Sequence, residues 1–405
     1  MNNVKDYGAI GDGIALDSVA IQKAIDAGGM AYLPAGKYRC GTLYLKSNGG
    51  LHLDAGAVII ASHNREDYNA DDYCPQNMIP TEQSTAAHLI SVVEQQNVTI
   101  EGHGIIEGES RYWMNESNLI PGTPCYAPNP ERPGQMIYFC ECQNVHVTDV
   151  QIRNGPYWHM FFHGCEDVYV RGVKIQGDRL RWTNDGIDIE CCSRVTVSNC
   201  IVDVGDDAIT VRGYDSKLLY KEHISEQITI MNCILRSARD YGVRLGVGTG
   251  LIRNCTFSNL DIEAPTCGGI GIMSRWHRKT KNLTSVENIL VCNANIRAKR
   301  PLELIVGVGE APLCAPCFVR NLRLNNLMLF PTEKNVLTGL PDVPLENVAL
   351  HNVTVVLPAE DLPGAATEIA YVRNLTMNDY QVIAGNAPEV AISHSERITI
   401  NGVSQ

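Results

Sequence analysis

The stretch NILVCN, residues 288–293, decides the fold of this chain. It is a short run of alternating apolar residues that ends in asparagine, and close variants of it recur along the sequence. The variants begin at Asn97, Asn144, Asp167, Arg194, Gln227, Asn254, Asn288, Asn321, Asn347, Asn374 and Arg397. From Asn144 onward they are 23 to 34 residues apart. Short strands that repeat at such a period are typical of a solenoid.

The last position of the repeat is asparagine in six turns, namely Asn199, Asn232, Asn259, Asn293, Asn326 and Asn352. Asparagine tolerates unusual backbone angles and forms local hydrogen bonds, so this column predicts an asparagine ladder at a repeated bend. The residue that follows is Cys200, Cys233, Leu260, Ala294, Leu327 or Val353. Because cysteine alternates there with aliphatic residues, we interpret it as core. The pattern predicts an all-β, parallel β-solenoid.

Composition excludes several classes of protein. The chain has 405 residues, 44% of them hydrophobic, and a net charge of −12, which argues against nucleic acid as a partner. No apolar run approaches the roughly 18 to 20 residues that span a bilayer, so no membrane association is expected. The first residues, MNNVKDYGAIGDG, lack a signal-peptide pattern. Cytoplasmic localisation is therefore expected, or secretion if a leader has been removed.

Fifteen cysteines include one Cys-x-x-Cys, formed by Cys314 and Cys317, with no second pair to complete a zinc site. Core or loop cysteines in a reducing compartment are therefore expected, and no metal. The other local signal is a helix in DSVAIQKAIDAGG, residues 17–29, with Asp17 or Ser18 as N-cap. Its predicted apolar face consists of Val19, Ile21, Ala24 and Ile25. The helix would close the open end of the solenoid.

We expect a single domain over residues 1–405. Residues 1–50 would form the N-terminal cap and the first turns, and residues 51–405 the remaining coils.

A second repeat carries the chemistry. Five stretches align as DGIDI from Asp185, DAITV from Asp207, YGVRL from Tyr241, GGIGI from Gly268 and RPLEL from Arg300. Their fourth positions are Asp188, Thr210, Arg244, Gly271 and Glu303. The third and fifth positions are mostly aliphatic and should face the core. Neighbouring rungs lie about 4.8 Å apart, so Asp185 and Asp207 should be close, with Asp206 beside them on a bend before the strand.

Three clustered carboxylates cannot all ionise easily, because mutual repulsion raises the pKa of at least one. One group can then donate a proton while another activates water, as glycoside hydrolysis requires. The alternatives at this point are a divalent-cation site, or an acidic patch held by Arg181 and Arg212.

Several segments resemble glycoside hydrolase family 28, the polygalacturonase-like enzymes of the parallel β-helix superfamily. DYGAIGDG and DSVAIQKAID resemble the superfamily's opening, and YLPAGKY, LYLKSNGGLHLDAGAVI and GHGIIEG its early turns. NGPYWHMFFHGCEDVYV resembles the turn before the active site, and NDGID and GDDAITVRG match two aspartate motifs in order. The resemblance implies that Asp206 is the general acid and that Asp185 and Asp207 activate water. It also implies a right-handed parallel β-helix, inversion of configuration and no cofactor.

The chain departs from the family where the substrate carboxylate is bound. Tyr241 stands where polygalacturonases have histidine, and Gly271, Ile272 and Met273 replace Arg-Ile-Lys. Plain polygalacturonase activity is therefore not expected. Arg244 is predicted to replace the missing anchor, with an ion pair as the alternative.

The remaining predicted substrate-binding residues surround this column. Asp188 and Glu303 are also the alternative ion-pair partners of Arg244. By family position, Trp158 lies near the cleft and Arg212 replaces a lysine beside the acidic pair. Arg275, or Arg278 in SRWHRK, could assist Arg244, and Tyr241 could contact a sugar.

The sequence thus predicts an inverting glycoside hydrolase that acts on an oligo- or polysaccharide, a pectin-like or other glycan with uronic acid or deoxysugar units. Two alternatives stay open: a polysaccharide lyase or C5-epimerase on the same scaffold, and a β-helix that binds glycans without catalysis. The oligomeric state is not predicted.

Overall fold

The computed structural model describes residues 1–69, 85–120, 126–213, 218, 224–275, 284–307, 317–358, 364–383 and 388–405. The chain divides into two compact units. The first, here the N-terminal unit, is Met1–Asp206 with Ser216–Lys221, and the second, the C-terminal unit, is Asp207–Asp215 with Glu222–Gln405. Each unit consists mainly of short parallel strands, so the predicted β-helix fold class is confirmed. The single domain stays a prediction.

The N-terminal unit stacks its strands into three parallel ladders, one strand of each per coil. One ladder contains Leu43–Tyr44, Ile90–Val93, Ile137–Cys140, Met160–His163 and Ile187–Glu190. The next contains Asn2–Asn3, Met30–Leu33, Gly49–Leu53, Gln96–Gly102, Gln143–Thr148, Glu166–Arg171 and Ser193–Ser198. The third contains Asp12–Leu16, Gly36–Cys40, Ala57–Ala61, Ile105–Glu107, Gln151–Arg153, Lys174–Gln176 and Ile201–Val204.

Smaller elements complete the N-terminal unit. Met114–Leu119 and Tyr126–Pro128 pair antiparallel. Three short 3₁₀ helices span Val4–Tyr7, Arg65–Asp67 and Ser110–Trp113.

The C-terminal unit continues the same construction with longer strands that run through the bends. One ladder contains Ile209–Gly213, Val243–Gly248, the ends of Leu251–Arg275 and Ser285–Val306, and then Asn335–Thr338, Thr367–Ala370 and Val390–Ser393. The other contains Ile224–Ser237, Leu251–Arg275, Ser285–Val306, Val319–Pro331, Leu345–Val356, Val372–Ile383 and Glu396–Ile400, and Val403–Ser404 folds back antiparallel.

The predicted asparagine ladder is confirmed in the C-terminal unit. Its residues in this unit have left-handed φ angles of 51–56°, for example 55° at Asn232 and 56° at Asn293. Each side-chain amide donates to the asparagine one coil earlier, over 2.9 Å from Asn259 to Asn232 and 3.1 Å from Asn293 to Asn259. Asparagine suits this bend because it accepts a positive φ and stacks on its own kind.

The first position of the repeat forms a second ladder that we did not predict. It runs through Asn254, Asn288, Asn321, Asn347 and Asn374, with amide-to-carbonyl distances of 2.9–3.0 Å. All five residues have φ between 55° and 61°. The signal was in the sequence, because five of the repeats in this unit begin with asparagine.

The core lies inside the coils. The third and fifth positions of the second repeat are at most 1% exposed, as predicted. The twelve cysteines described in the structure are free thiols, and ten of them are buried, which confirms their interpretation as core. Cys314 lies outside the described residues.

The one α-helix in the described residues is Ser18–Asp26, which packs its buried Ile21, Ala24 and Ile25 against the first coil. One expectation about it was wrong, because Val19 is 64% exposed. Asp17 occupies the N-cap position, as predicted, although its side chain makes no capping hydrogen bond. Asp17 accepts from the N–H groups of Ile10 and Gly11, and Ser18 from that of Gly41. Among the described residues, no helix is long and apolar enough to cross a membrane.

Candidate active site

Two carboxylates meet in the N-terminal unit. Asp185 lies on the bend before the strand Ile187–Glu190, and Asp206 lies on the bend after the strand Ile201–Val204. An oxygen of each lies within 4.8 Å of the other. Asp185 is 2% exposed, whereas Asp206 is only partly buried. Asp206 is therefore the carboxylate of this pair that solvent or a ligand can reach.

A buried histidine holds the backbone at Asp185. The Nδ1–H of His159 donates to the carbonyl of Asp185 over 2.8 Å, and its Nε2 accepts from the N–H of Gly155 over 3.1 Å. This pair of contacts requires the neutral ring, since one nitrogen donates and the other accepts. Burial lowers the pKa of His159 to about 4, in agreement with that assignment.

Asn184 ties the two bends together. Its side-chain amide donates to the carbonyl of Gly155 over 3.3 Å, and its carbonyl accepts from the N–H of Gly205 over 3.3 Å. We did not predict this role, although Asn184 opens the motif NDGID. Because Asn184 directly precedes Asp185 and contacts Gly205, which directly precedes Asp206, its hydrogen bond links the two bends.

The Asp206 bend is also held from the neighbouring coil. The N–H of Thr183 donates to Oδ2 of Asp206. A Cβ on Gly205 would lie 2.1 Å from the carbonyl oxygen of Arg181, so only glycine fits there. Arg181 itself is 2% exposed and donates to the carbonyl of Ser110 and to Asp178 over 2.7 and 3.1 Å. These two described contacts give Arg181 a structural role in supporting the bend.

Protonation of His159 should destabilise the fold in acid. The unfolded chain binds this proton at its ordinary pKa of about 6.5, whereas the folded protein resists it until about pH 4. Stability is therefore full above pH 6.5 and falls with decreasing pH, by about 2 kcal/mol at pH 5 from this group. Urea unfolding of wild type and His159→Gln at pH 7.5 and 5.0 measures it.

The variant should be less stable at pH 7.5 but should lose about 2 kcal/mol less than wild type between the two pH values. His88 and His163, whose pKa values burial lowers to about 4 and about 3, titrate in both proteins and cancel in the comparison. Equal losses in wild type and variant would contradict the neutral His159.

The C-terminal unit begins with the third carboxylate, Asp207, which is 1% exposed. Its Oδ1 accepts from the N–H of Tyr241 over 2.9 Å. Its Oδ2 accepts from Nη1 of Arg244 over 2.9 Å and from the hydroxyl of Thr210 over 3.3 Å. Three donors, one of them cationic, hold this carboxylate in place.

Arg244 is 7% exposed and reaches a second carboxylate, Asp240, over 3.5 Å. Burial alone would lower its pKa, but the charges of Asp207 and Asp240 outweigh that effect and raise the pKa above its usual value. The nearby charge of Arg212, half-buried on Ile209–Gly213, acts in the opposite direction. Arg244 therefore belongs to a buried ion pair whose partner is neither Asp188 nor Glu303.

Tyr241 connects this ion pair to the next coils. Its hydroxyl donates to Oε2 of Glu303 over 2.7 Å, and its ring lies 5.4 Å from the guanidinium carbon of Arg244. Burial, followed by the charges of Cys267 and Glu303, raises the pKa of Tyr241, so its hydroxyl keeps its proton. Glu303 also accepts from Arg300 over 2.9 Å.

Two glycines make room for the Tyr241 ring. A Cβ on Gly268 would lie 2.1 Å from a ring carbon, and one on Gly271 would lie 2.7 Å away. Strand pairing sets Thr210, Arg244, Gly271 and Glu303 opposite one another in successive coils, as the aligned columns predict. The Tyr241 ring thus occupies space that a side chain at position 271 would need, so the two residues depend on each other.

The other predicted substrate-binding residues lie in different environments. Asp188 is fully buried. Trp158, 5% exposed, does not offer a ring face to a sugar, because it stacks on Tyr157 and meets Phe161 edge-on in an aromatic core cluster. Only the backbone of Arg275 is described, at the end of its strand. Trp276, His277 and Arg278 lie outside the described residues.

The fold places the chain among the parallel β-helix proteins. A model of glycosyl hydrolases family 28 matches residues 75–236, and a model of rhamnogalacturonase A/epimerase, pectate lyase-like proteins matches residues 1–52. The family 28 match covers less than half of the chain, which is similar to polygalacturonase-like proteins of that family.

Its relatives share modest identity with it. An exo-poly-alpha-D-galacturonosidase of Dickeya chrysanthemi is 27% identical over 321 residues, a match that covers 66% of this chain and 52% of the relative. A probable polygalacturonase of Vitis vinifera is 25% identical over 414 residues, covering 90% of this chain and 76% of the relative. This chain therefore spans about half the length of the Dickeya relative.

Among solved structures, a family 28 exopolygalacturonase of Yersinia enterocolitica matches with a TM-score of 0.76 at 20% identity. The match covers 99% of this chain and 78% of that one. This similarity supports the right-handed parallel β-helix.

Proposed function

We propose that the protein is an inverting glycoside hydrolase that cleaves a pectin-like glycan. The observation that carries the proposal is the carboxylate pair Asp185 and Asp206, with oxygens within 4.8 Å and only Asp206 appreciably accessible, in a chain with a family 28 match. Asp207 follows Asp206 directly in the sequence and is the third carboxylate of the proposal.

Each aspartate has a distinct role in the proposal. Asp206, the accessible group, donates its proton to the glycosidic oxygen as the bond to the anomeric carbon breaks. Asp185 and Asp207 orient a water molecule, and one of them accepts its proton as the water oxygen bonds to the anomeric carbon. The donors on Asp207 suit this role, because they fix the orientation of its carboxylate before the reaction.

The proposal of inversion rests on the family resemblance, because the distance between Asp185 and Asp206 alone does not require it. Carboxyl groups in most inverting glycosidases are roughly 6.5–9.5 Å apart, to leave room for water. One oxygen of Asp185 and one oxygen of Asp206 lie at most 4.8 Å apart, which is less than that separation. A base formed by two aspartates, with water held beside Asp207, removes the need for a wide gap between that one pair. Identification of the first anomer tests this directly.

The substrate we propose has a sugar without a carboxylate beside the Tyr241 wall, such as a neutral or deoxysugar unit next to galacturonate. A bound carboxylate calls for a cation that is not already neutralised. In the described part of this column, Arg244 pairs with Asp207 and Asp240, and Arg300 with Glu303 and Glu333. Gly271 and Met273 add no charge.

A panel of defined oligosaccharides tests the function. We expect hydrolysis of mixed galacturonate–deoxysugar oligomers at least about tenfold faster, by kcat/KM, than of pure oligogalacturonates, since the loss of one charge-assisted contact is worth about 1.5–3 kcal/mol. Reactions are run with and without EDTA, and proton NMR records the first-formed anomer. We expect an inverted anomer and unchanged rates with EDTA.

Other products would overturn the proposal in different ways. An unsaturated product that absorbs in the ultraviolet would identify a lyase. Binding without turnover would identify a glycan-binding protein, and a retained anomer would exclude the single-displacement mechanism. A loss of activity in EDTA that added calcium restores would assign the carboxylates to a cation.

A further inference from the structure

We propose that Arg244 is a positioning residue for Asp207 rather than a substrate anchor. The inference rests on the proposed function and assigns Arg244 to the water-activating side of the same reaction. Arg244 does not touch the reacting atoms in this proposal. It fixes the orientation of a carboxylate that does.

The geometry of Asp207 leaves its side chain one orientation. The N–H of Tyr241 contacts Oδ1, while Arg244 and Thr210 contact Oδ2. Rotation of the carboxylate would break all three contacts, and the strand pairing of Thr210 with Arg244 keeps these two donors in register. Loss of the guanidinium would remove the shorter of these two contacts on Oδ2, 2.9 Å against 3.3 Å for the hydroxyl.

The surroundings of Arg244 show why it cannot swing out toward a ligand at low cost. Its guanidinium is buried, contacts Asp207 and Asp240, and lies near the Tyr241 ring. To bind a substrate carboxylate it would have to give up its ion pairs with the buried Asp207 and with Asp240, which is unfavourable. An exposed arginine, such as those in the surface ion pairs, could bind a substrate carboxylate without breaking buried contacts.

The charged groups around the pair are consistent with this role. Asp207 and Asp240 supply two negative charges, Arg212 supplies a second positive charge, and the Tyr241 hydroxyl keeps its proton chiefly because burial raises its pKa. Arg244 thus neutralises the acidic side of the column in which Asp207 lies.

The test separates kcat from KM on the preferred oligosaccharide. We expect Arg244→Met to lower kcat about 100-fold, the size of effect that follows misplacement of a reacting group by about 1 Å, with KM changed less than about twofold. Arg244→Lys should recover at least part of kcat, because an ammonium can contact Oδ2 alone. If Arg244 bound a substrate carboxylate, KM would rise for carboxylate-bearing substrates and kcat would persist, which would overturn the proposal.

Arg320→Met is the matched control. Arg320 pairs with Glu287 over 2.7 Å and lies over the Phe318 ring at 4.1 Å, so it has the same types of partner as Arg244 but is 41% exposed at its side chain. We expect its kcat and KM to equal those of wild type. Melting curves of all variants correct kcat for any unfolded fraction, and Arg244→Lys keeps the test valid if Arg244→Met folds poorly.

A double variant distinguishes positioning from general stabilisation. In an Asp207→Asn background, Arg244→Met should lower kcat by less than about twofold, because the group it positions is already gone. A further 100-fold loss would overturn the proposal. If wild type hydrolyses its substrate and Arg244→Met retains full kcat, only the positioning role is overturned. If wild type is inactive on the whole panel, the proposed function is overturned.

Discussion

Replacing Asp206 with asparagine is expected to lower kcat about 1,000-fold on a natural glycosidic bond, because a positioned general acid contributes about 10²–10⁴-fold. Asparagine keeps the shape of the side chain and can still meet the N–H of Thr183. The Kd of the oligosaccharide, measured calorimetrically with the inactive variant, should change less than about threefold, since the acid acts in the transition state.

An activated substrate identifies the acid specifically. A glycosyl fluoride or nitrophenyl glycoside has a leaving group that departs without protonation, so Asp206→Asn should recover most of its activity on it. Asp185→Asn should be impaired on both kinds of substrate, because water must still be activated. A similar loss on both substrates for Asp206→Asn would show that Asp206 is not the acid.

Asp203→Asn is the control for this experiment. Asp203 lies three residues earlier, on the strand Ile201–Val204, and pairs with Arg179 over 3.4 Å. It is an acidic side chain of the same coil outside the proposed machinery. We expect its kcat within about twofold of wild type, as is usual for loss of an exposed ion pair. A loss comparable to that of Asp206→Asn would point to a general charge effect.

The fold was predictable because each coil repeats the same local chemistry. Alternating apolar residues define a strand, and asparagine defines the bend, so the period appears without knowledge of contacts between coils. The same regularity placed Thr210, Arg244, Gly271 and Glu303 in one column, which the strand pairing confirms. It also placed Asp185 on the bend before its strand.

Partners across coils were less predictable. A column fixes which residues are one rung apart, but a long side chain can turn to either neighbouring coil or along its own. Arg244 was expected to bind substrate or to pair with Asp188 or Glu303, and it pairs with Asp207 and Asp240. Trp158 was placed near a cleft by family position, yet aromatic residues from its own turn enclose it. The convergence of Asp185 with Asp207 and the substrate-binding roles stay predictions.

We expect the departures from the family pattern around Tyr241 to be energetically coupled. Substitution of Gly268 measures this coupling. Gly268→Ala is expected to destabilise the protein by about 4 kcal/mol. Overpacking costs about 1–3 kcal/mol, and a hydrogen bond to a charged group contributes about 1.5–3 kcal/mol. Both apply here, because the new Cβ would lie 2.1 and 2.4 Å from two ring carbons of Tyr241, whose hydroxyl donates to Glu303. Urea unfolding followed by fluorescence measures the change.

The coupling follows from a double-mutant cycle with Tyr241→His, which introduces the residue that the family pattern has in this column. The imidazole is smaller than the phenol ring and does not depend on the Glu303 contact, so Gly268→Ala should cost less than about 1.5 kcal/mol in that background. Gly269→Ala is the control. Its Cβ would lie 2.2 Å from Ile296 and does not involve Tyr241, so its cost should be the same in both backgrounds. Equal costs of Gly268→Ala in the two backgrounds would contradict the coupling, and the glycine and the tyrosine would then be independent departures from the family pattern.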